Sequence, residues 1–232
     1  MIKNNLVTLS KLFEKHSPLF IVGGYIRDKL MGLNPTDVDL CSALKLTEVE
    51  EILKGSNFNL EIKNKQFGTA RIYNNEISFE YSVFRKDYYS KTNLGKHSPN
   101  KVEFVNSLKI DSERRDFTIN ALYYNLTTNE LIDLYNAKEH IEKKIIKMIC
   151  PITLNFDGER ILRLARFVGF GFKVEEETLK SAKINTRNVL NLNSNIITKY
   201  LTLVNNYPQK QRQKIKEFLL LLNLKELAQE IN

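Results

Sequence analysis

The sequence predicts an α+β fold: a mixed sheet flanked by helices, followed by an all-helical part. Up to about residue 150, strand-length apolar runs alternate with amphipathic stretches. Beyond Pro151 the strand signals stop and helical periodicity continues, which places the boundary between residues 1–150 and 151–232. At 232 residues, 42% apolar and 27% charged, the chain has the composition of a globular protein with one good-sized core or two small ones.

The elements follow in order. Residues 4–15 read as an amphipathic helix, 19–22 as a short buried strand and 25–31 as a short helix after two glycines. Residues 37–41 form a second strand-like run. Residues 47–54 are a helix with Thr47 as its N-cap and Glu50 at the capping-box position. Strands are predicted at 58–63, 68–73 and 77–84, the last two closed into a hairpin by left-handed Asn74-Asn75. Residues 85–101, with Lys86, Lys91, Lys96 and Lys101 and no apolar period, read as a mobile basic loop. The helical part follows at 156–170, 175–184, 196–204 and 210–222.

No apolar run of membrane-spanning length occurs, and Met1-Ile2-Lys3-Asn4-Asn5 lacks a signal-peptide core. The two cysteines, Cys41 and Cys150, read as reduced core thiols of a cytoplasmic protein. The net charge of +8 is spread along the chain and fits a polyanionic partner.

Three clusters carry chemistry. Gly23-Gly24 ends the first strand with backbone that a phosphate can approach closely. Asp37 and Asp39, two apart on a strand, point to one side while Val38 and Leu40 point into the core. Paired carboxylates suit Mg²⁺, with substrate phosphates completing the shell. In the second cluster, Glu113 to Leu122, a helix with surface ion pairs is the plain alternative. Two adjacent helical arginines do not face one partner. One of Arg114 and Arg115 would therefore take Asp116 or another acid and leave the other for a triphosphate. The third cluster, Asp157 to Phe167, lets Asp157 and Arg160 meet on neighbouring turns and brings Arg166 nearly opposite Asp157. On spacing alone it is a salt-bridged helix with Ile161, Leu164 and Phe167 inward.

Together these stretches resemble the tRNA nucleotidyltransferases of the bacterial and eukaryotic type, the CCA-adding enzymes, and the closely similar bacterial poly(A) polymerases. Residues 23–39 are similar to the family's metal and triphosphate motif, 114–122 to its ribose and nucleotide motif, and 157–167 to its base-recognition motif and following helix. Glu80 to Arg85 resembles the strand before its flexible loop. The similarity covers residues 18–175 in order. It implies a nucleotidyltransferase-superfamily, DNA polymerase beta-like catalytic head on 1–150 and a helical neck on 151–232. It implies C and A addition to the tRNA 3′ end from CTP and ATP, without a nucleic-acid template and with release of pyrophosphate.

The resemblance also implies roles. Asp37 and Asp39 would be catalytic and hold Mg²⁺, with Glu80 as a third acidic group. Gly24 and Arg27 would contact the triphosphate, Arg115 the nucleotide, and Asp116 and Asn120 the sugar. Asp157 and Arg160 would read the base, with Arg163 and Arg166 in the same nucleotide site, where helix geometry has Arg166 acting indirectly or on phosphate. An ionised Asp only accepts and an Arg only donates, which matches the edges of C and A and mismatches U and G. The sequence departs from the family in two places. Phe156 stands where the motif usually begins with Glu, which would loosen the hold on the Arg. The chain ends soon after the base-recognition helix, where family members continue into tRNA-gripping helices. A compact form, a fragment, and a protein that relies on a partner or a second copy all fit. Poly(A) or partial-end addition is the alternative within the same chemistry, although Phe67-Gly68-Thr69 is nearer the CCA-adding pattern. A non-catalytic nucleotide- or RNA-binding module is the alternative outside it.

Overall fold

The computed structural model describes residues 2–89 and 98–232. They form two compact units. The first comprises Met1–Asp87, Lys101–Arg115 and Ile119–Lys138, and the second Tyr88–Asn100, Asp116–Thr118 and Glu139–Asn232.

The first unit is built on α1 (Ile2–Phe13), β1 (Phe20–Val22), α2 (Gly24–Leu30), β2 (Asp39–Ser42), α3 (Leu46–Leu53), β3 (Asn59–Asn64), β4 (Thr69–Tyr73), β5 (Ser78–Val83), β6 (Arg85–Tyr88), β7 (Lys101–Phe104), α4 (Leu108–Glu113), β8 (Leu122–Asn125) and β9 (Leu131–Asp133). Seven strands form one mixed sheet in the order β3-β4-β5-β2-β1-β8-β9. The β2–β5 pair is parallel, and β1 is antiparallel to both β2 and β8. Side chains alternate across the strands, so the sheet has two distinct faces. On one lie Ile72, Phe79, Tyr81, Leu40 and Leu122, all buried with Leu9 and Phe13 of α1 and Val49 and Leu53 of α3. On the other, Phe20, Val22, Cys41, Phe84 and Tyr123 form a smaller core, with Leu108 of α4 packed against it.

Several element boundaries differ from the sequence reading for local reasons. The helix predicted at 47–54 starts at Leu46, because Leu46 is buried beside Val49 and Leu53 on one face. Lys45, not Thr47, is its N-cap, and the Glu48 carboxylate accepts the Lys45 N–H at 2.8 Å. The β4–β5 hairpin forms, yet neither Asn74 nor Asn75 is left-handed. Asn74 Oδ1 instead accepts the N–H groups of Glu76 and Ile77 at 2.9 and 3.0 Å, closing the turn with a side chain.

The flanks of the predicted basic loop are strands, β6 and β7, which pair as a two-stranded sheet. Residues 90–97, in the middle of that loop, lie outside the described residues. Arg85 and Asp87, on one side of β6, bond to each other at 2.7 Å, so the strand is polar and shows no apolar alternation. The Glu113–Leu122 stretch is not one helix. It leaves α4, makes a 3-10 turn at Thr118–Asn120 and enters β8.

The second unit holds most of α5 (Ala137–Glu142), then β10 (Ile145–Ile146), α6 (Gly158–Gly169), β11 (Lys173–Val174), α7 (Glu176–Ile184), α8 (Arg187–Leu190), α9 (Ser194–Asn205), α10 (Gln209–Leu221) and α11 (Lys225–Gln229). Strand structure does not stop at Pro151, since β11 pairs in parallel with β10. α6 buries Ile161, Leu164 and Phe167, as its period predicts. Ile215, Phe218 and Leu219 of α10 are buried in the same unit.

Cys41 is buried and Cys150 is partly exposed, and both are free thiols. Cys41 is thus a core thiol as predicted, and Cys150 is not. Among the described residues no helix is long and apolar enough to cross a membrane.

Candidate active site

At the end of β1 the chain turns through Gly23, whose φ of 76° and ψ of −126° suit only a residue without Cβ. Its N–H bonds to Leu122 O on β8 at 3.1 Å. α2 starts at Gly24, so the Gly24 N–H belongs to a helical first turn, where N–H groups lack intrahelical acceptors. One turn on, Arg27 donates to Asn120 Oδ1 at 2.5 Å and to Asp28 Oδ1 at 2.7 Å. A side chain at Gly23 would lie 3.6 Å from Asn120 O and 3.9 Å from an Arg115 terminal nitrogen. Gly23, Arg27, Arg115 and Asn120 therefore converge in the first unit.

Beside them Asp37 and Asp39 are exposed while Val38 and Leu40 are buried, the alternation read from the sequence. Asp39 pairs in register with Val22 on one side and Glu80 on the other. The Asp39 carboxyl is held above the usual carboxylate range. Loss of hydration near the sheet raises it most, Arg115 opposes this, and Glu80 and Asp37 raise it further. That repulsion is what a cation would relieve. An all-oxygen pair of carboxylates fits a hard divalent ion that takes its other ligands from phosphates and water. Among the described residues no three His, Cys, Asp or Glu side chains gather closely enough to hold a metal ion by themselves.

Arg115 is fixed by a residue the sequence reading missed. Asp111, fully buried on α4, bonds Arg114 Nε at 2.8 Å and an Arg115 terminal nitrogen at 3.1 Å. It also accepts from the Tyr123 hydroxyl at 2.8 Å and from the Arg85 N–H at 3.2 Å. Arg115 Nε in turn donates to the Tyr123 hydroxyl at 2.8 Å. Both arginines thus share one acid, contrary to the expectation that adjacent arginines cannot. Arg114 closes α4 as its C-cap with helical angles, so Arg114 and Arg115 lie three and four residues beyond Asp111 on one face and both reach it. Burial alone would raise the Asp111 carboxyl, but Arg114, Arg115 and the Tyr123 hydroxyl outweigh it and hold the pKa at about 2. The spacing of three and four residues was the available signal.

The remaining residues belong to the second unit. Asp116 is buried, accepting from the Phe117 N–H at 2.7 Å and from Arg163 at 2.5 Å. Asp157 caps α6 by accepting the Glu159 N–H at 2.9 Å. Arg160 lies 3.4 Å from Asp157 Oδ2 and donates to Thr153 O at 2.9 Å. Phe156, at the position of the motif's Glu, stacks on Tyr89 with ring centres 4.9 Å apart. The Thr153 carbonyl, not a carboxylate at 156, shares the hold on Arg160 with Asp157. Arg166 points elsewhere, donating through Nε to the Tyr207 hydroxyl at 2.9 Å.

Residues 19–147 match the family model described as the poly A polymerase head domain. A CCA-adding enzyme of Ligilactobacillus salivarius (strain UCC118) is 34% identical over 189 residues, which is 79% of this chain and 44% of that enzyme. The chain therefore spans under half the length of that relative. The crystal structure of the Bacillus stearothermophilus CCA-adding enzyme in complex with CTP matches at TM-score 0.76 and 22% identity, covering 93% of this chain and 51% of that one. A tRNA nucleotidyltransferase complexed with a primer tRNA and an incoming ATP analog matches at TM-score 0.70 and 26% identity, over 97% and 62% of the two chains.

Proposed function

Since the chain belongs to the family of the poly A polymerase head domain, we propose that it is a nucleotidyltransferase adding C and A to the 3′ end of tRNA from CTP and ATP, releasing pyrophosphate. The observation that carries this reading is the Asp157–Arg160 pair in the first turn of α6. It sets an obligate acceptor beside an obligate donor. The amino group of cytosine or adenine donates to Asp157, and the adjacent ring nitrogen accepts from Arg160. Uracil and guanine present the reverse order, leaving buried polar groups unpaired at about 1–3 kcal/mol each. The protein thus supplies the template.

In this reading the Gly24 N–H and the Arg27 and Arg115 guanidiniums hold the triphosphate and nucleotide. Asp116 and Asn120 hold the ribose, and Arg163 positions Asp116. Asp37 and Asp39 would hold Mg²⁺, which when bound activates the RNA 3′-hydroxyl and offsets charge at the α-phosphate. Two free cysteines support action in a reducing compartment, the cytoplasm.

The test is direct. The protein is incubated with Mg²⁺, each NTP singly and in mixture, and tRNAs ending before CCA, after C and after CC. Two C followed by one A, with arrest, is the expected product. Unlimited A would make it a tailing enzyme, and no product would leave a binding module.

A further inference from the structure

A cavity of about 760 Å³ lies in the first unit, walled by α1, α2, β1, β8 and the turn after β8. It is on the far side of the sheet from the paired carboxylates. Ile21 and Tyr124 are partners across β1 and β8 and both line it, whereas Val22, in register with Asp39, points to the other face. On α2, Tyr25 and Lys29 line it one turn apart, and Arg27 stands about 160° around the helix from each. None of the residues assigned above to metal, nucleotide or ribose takes part in it.

The buried side of the lining is aliphatic, with Leu6, Ile21 and Ile26 all closed to solvent. Tyr25 and Tyr124 are half-buried and Lys3 and Lys29 are exposed, so a ligand can reach all four. The Lys29 ammonium stands 5.9 Å from the centre of the Tyr25 ring. Among the described residues no acidic side chain lines the cavity, and neither ammonium bonds a carboxylate. The volume and the mostly apolar lining are those of a small-molecule site, here with charge of one sign at its rim.

The polar inventory narrows the occupant. Beyond the two ammoniums it consists of the Tyr25 and Tyr124 hydroxyls and the Asn129 amide, and Tyr124 already donates to Asn129 at 3.1 Å. The donors and acceptors of a nucleobase edge would meet aliphatic carbon and stay unpaired, which is costly. A hydrocarbon body has no such groups and gains by leaving water. The two ammoniums then favour a negative head. A bounded cavity of this size suits one chain and not a bilayer face.

We propose that this cavity binds a free amphipathic anion, an acyl chain ending in a carboxylate or phosphate. The chain lies against Leu6, Ile21 and Ile26, and Lys3 and Lys29 neutralise the head. Its occupancy does not depend on the RNA-extending reading above.

The test is isothermal titration of the full chain with laurate below its micellar concentration, and with dodecyltrimethylammonium as the charge-reversed counterpart. Laurate should bind saturably and one to one, and the cation at least about tenfold more weakly. Val7 is an exposed residue of the lining, so Val7→Glu places a carboxylate there without disturbing the core. This variant should melt close to the wild type and bind laurate at least about tenfold more weakly. Replacing both lysines, Lys3→Gln with Lys29→Gln, should weaken laurate several-fold and flatten its salt dependence. CTP affinity should be unchanged in both variants. Absence of saturable laurate binding by the wild type would overturn the site, as would equal affinity for the cation or undiminished binding by both variants. Competitive displacement of laurate by CTP would overturn its separation from the nucleotide site. Phosphatidylcholine vesicles containing phosphatidylserine should not capture the protein. Capture that Val7→Glu abolishes would make the occupant a lipid surface and overturn the free anion.

Discussion

At the scale of single residues, the acids of the first unit divide into exposed and buried groups with different predicted effects. Asp37 is exposed, so Asp37→Ala should leave the melting temperature within about a degree of wild type. It should nevertheless lower nucleotide transfer by on the order of a thousandfold, because several kcal/mol of charge stabilisation are lost. Normal incorporation by this variant would refute its metal role. Asp111 is the opposite case, fully buried among cations, with its pKa held at about 2. A carboxyl depressed in the folded state contributes stability that is fully present above its unfolded value near 4. That contribution is lost as the pH falls towards 2. It amounts to about 2 kcal/mol. Urea melts between pH 5 and pH 2 should show the loss, and Asp111→Asn should be less stable at neutral pH with a flatter profile. An unchanged slope in the variant would refute the assignment. Asp111 was missed in the sequence because a lone Asp at helical distance from two arginines looks like a solvated ion pair. Only the fold shows that it is buried and shared.

At the scale of elements, α6 shows what the sequence could and could not reveal. Its inward stripe and the Asp157–Arg160 contact were legible from periodicity alone. The way its first turn is seated was not, because that depends on contacts distant in sequence. Asn188 donates to Leu154 O at 3.2 Å and to Asn155 O at 2.8 Å, tying α8 to the turn that ends beside Asp157. Gly158 permits this approach, since a Cβ there would overlap the Asn188 carbonyl. Gly158→Ala is expected to cost about 1–3 kcal/mol by overpacking, read by denaturant titration. A stability equal to wild type would show that α8 yields freely. Arg160→Ala should reduce the preference for CTP and ATP over UTP by at least about tenfold in single-nucleotide incorporation, given about 1–3 kcal/mol per mismatched group. Unchanged selectivity would remove the template role. The flanks of the basic loop were misread for the converse reason. β6 is polar and carries no apolar alternation, so nothing in its composition marks it, whereas Val102 and Phe104 of β7 do alternate with Lys101 and Glu103, just beyond the predicted loop.

At the scale of the whole molecule, the order of elements follows the sequence reading as far as β5. By contrast, α4, β8, β9 and α5 fall in a stretch where that reading named no strand, and the partition into units is less linear than the chain. The second unit takes in Asp116–Thr118, three residues whose neighbours on both sides belong to the first. No periodicity foretells such an exchange, because it arises where a buried acid finds its cation on a distant helix. The two thiols turn the same partition into an assay. Cys41 is sealed within the sheet of the first unit and its thiol is pushed far above the ordinary range by burial, whereas Cys150 is partly open in the second unit. A colourimetric thiol reagent in native buffer should consume one equivalent promptly, and prompt consumption of two would contradict the sealed core. The second equivalent should appear only at the pace at which the strands part. The protein thus carries an internal clock for its own opening, readable without any label being engineered into it.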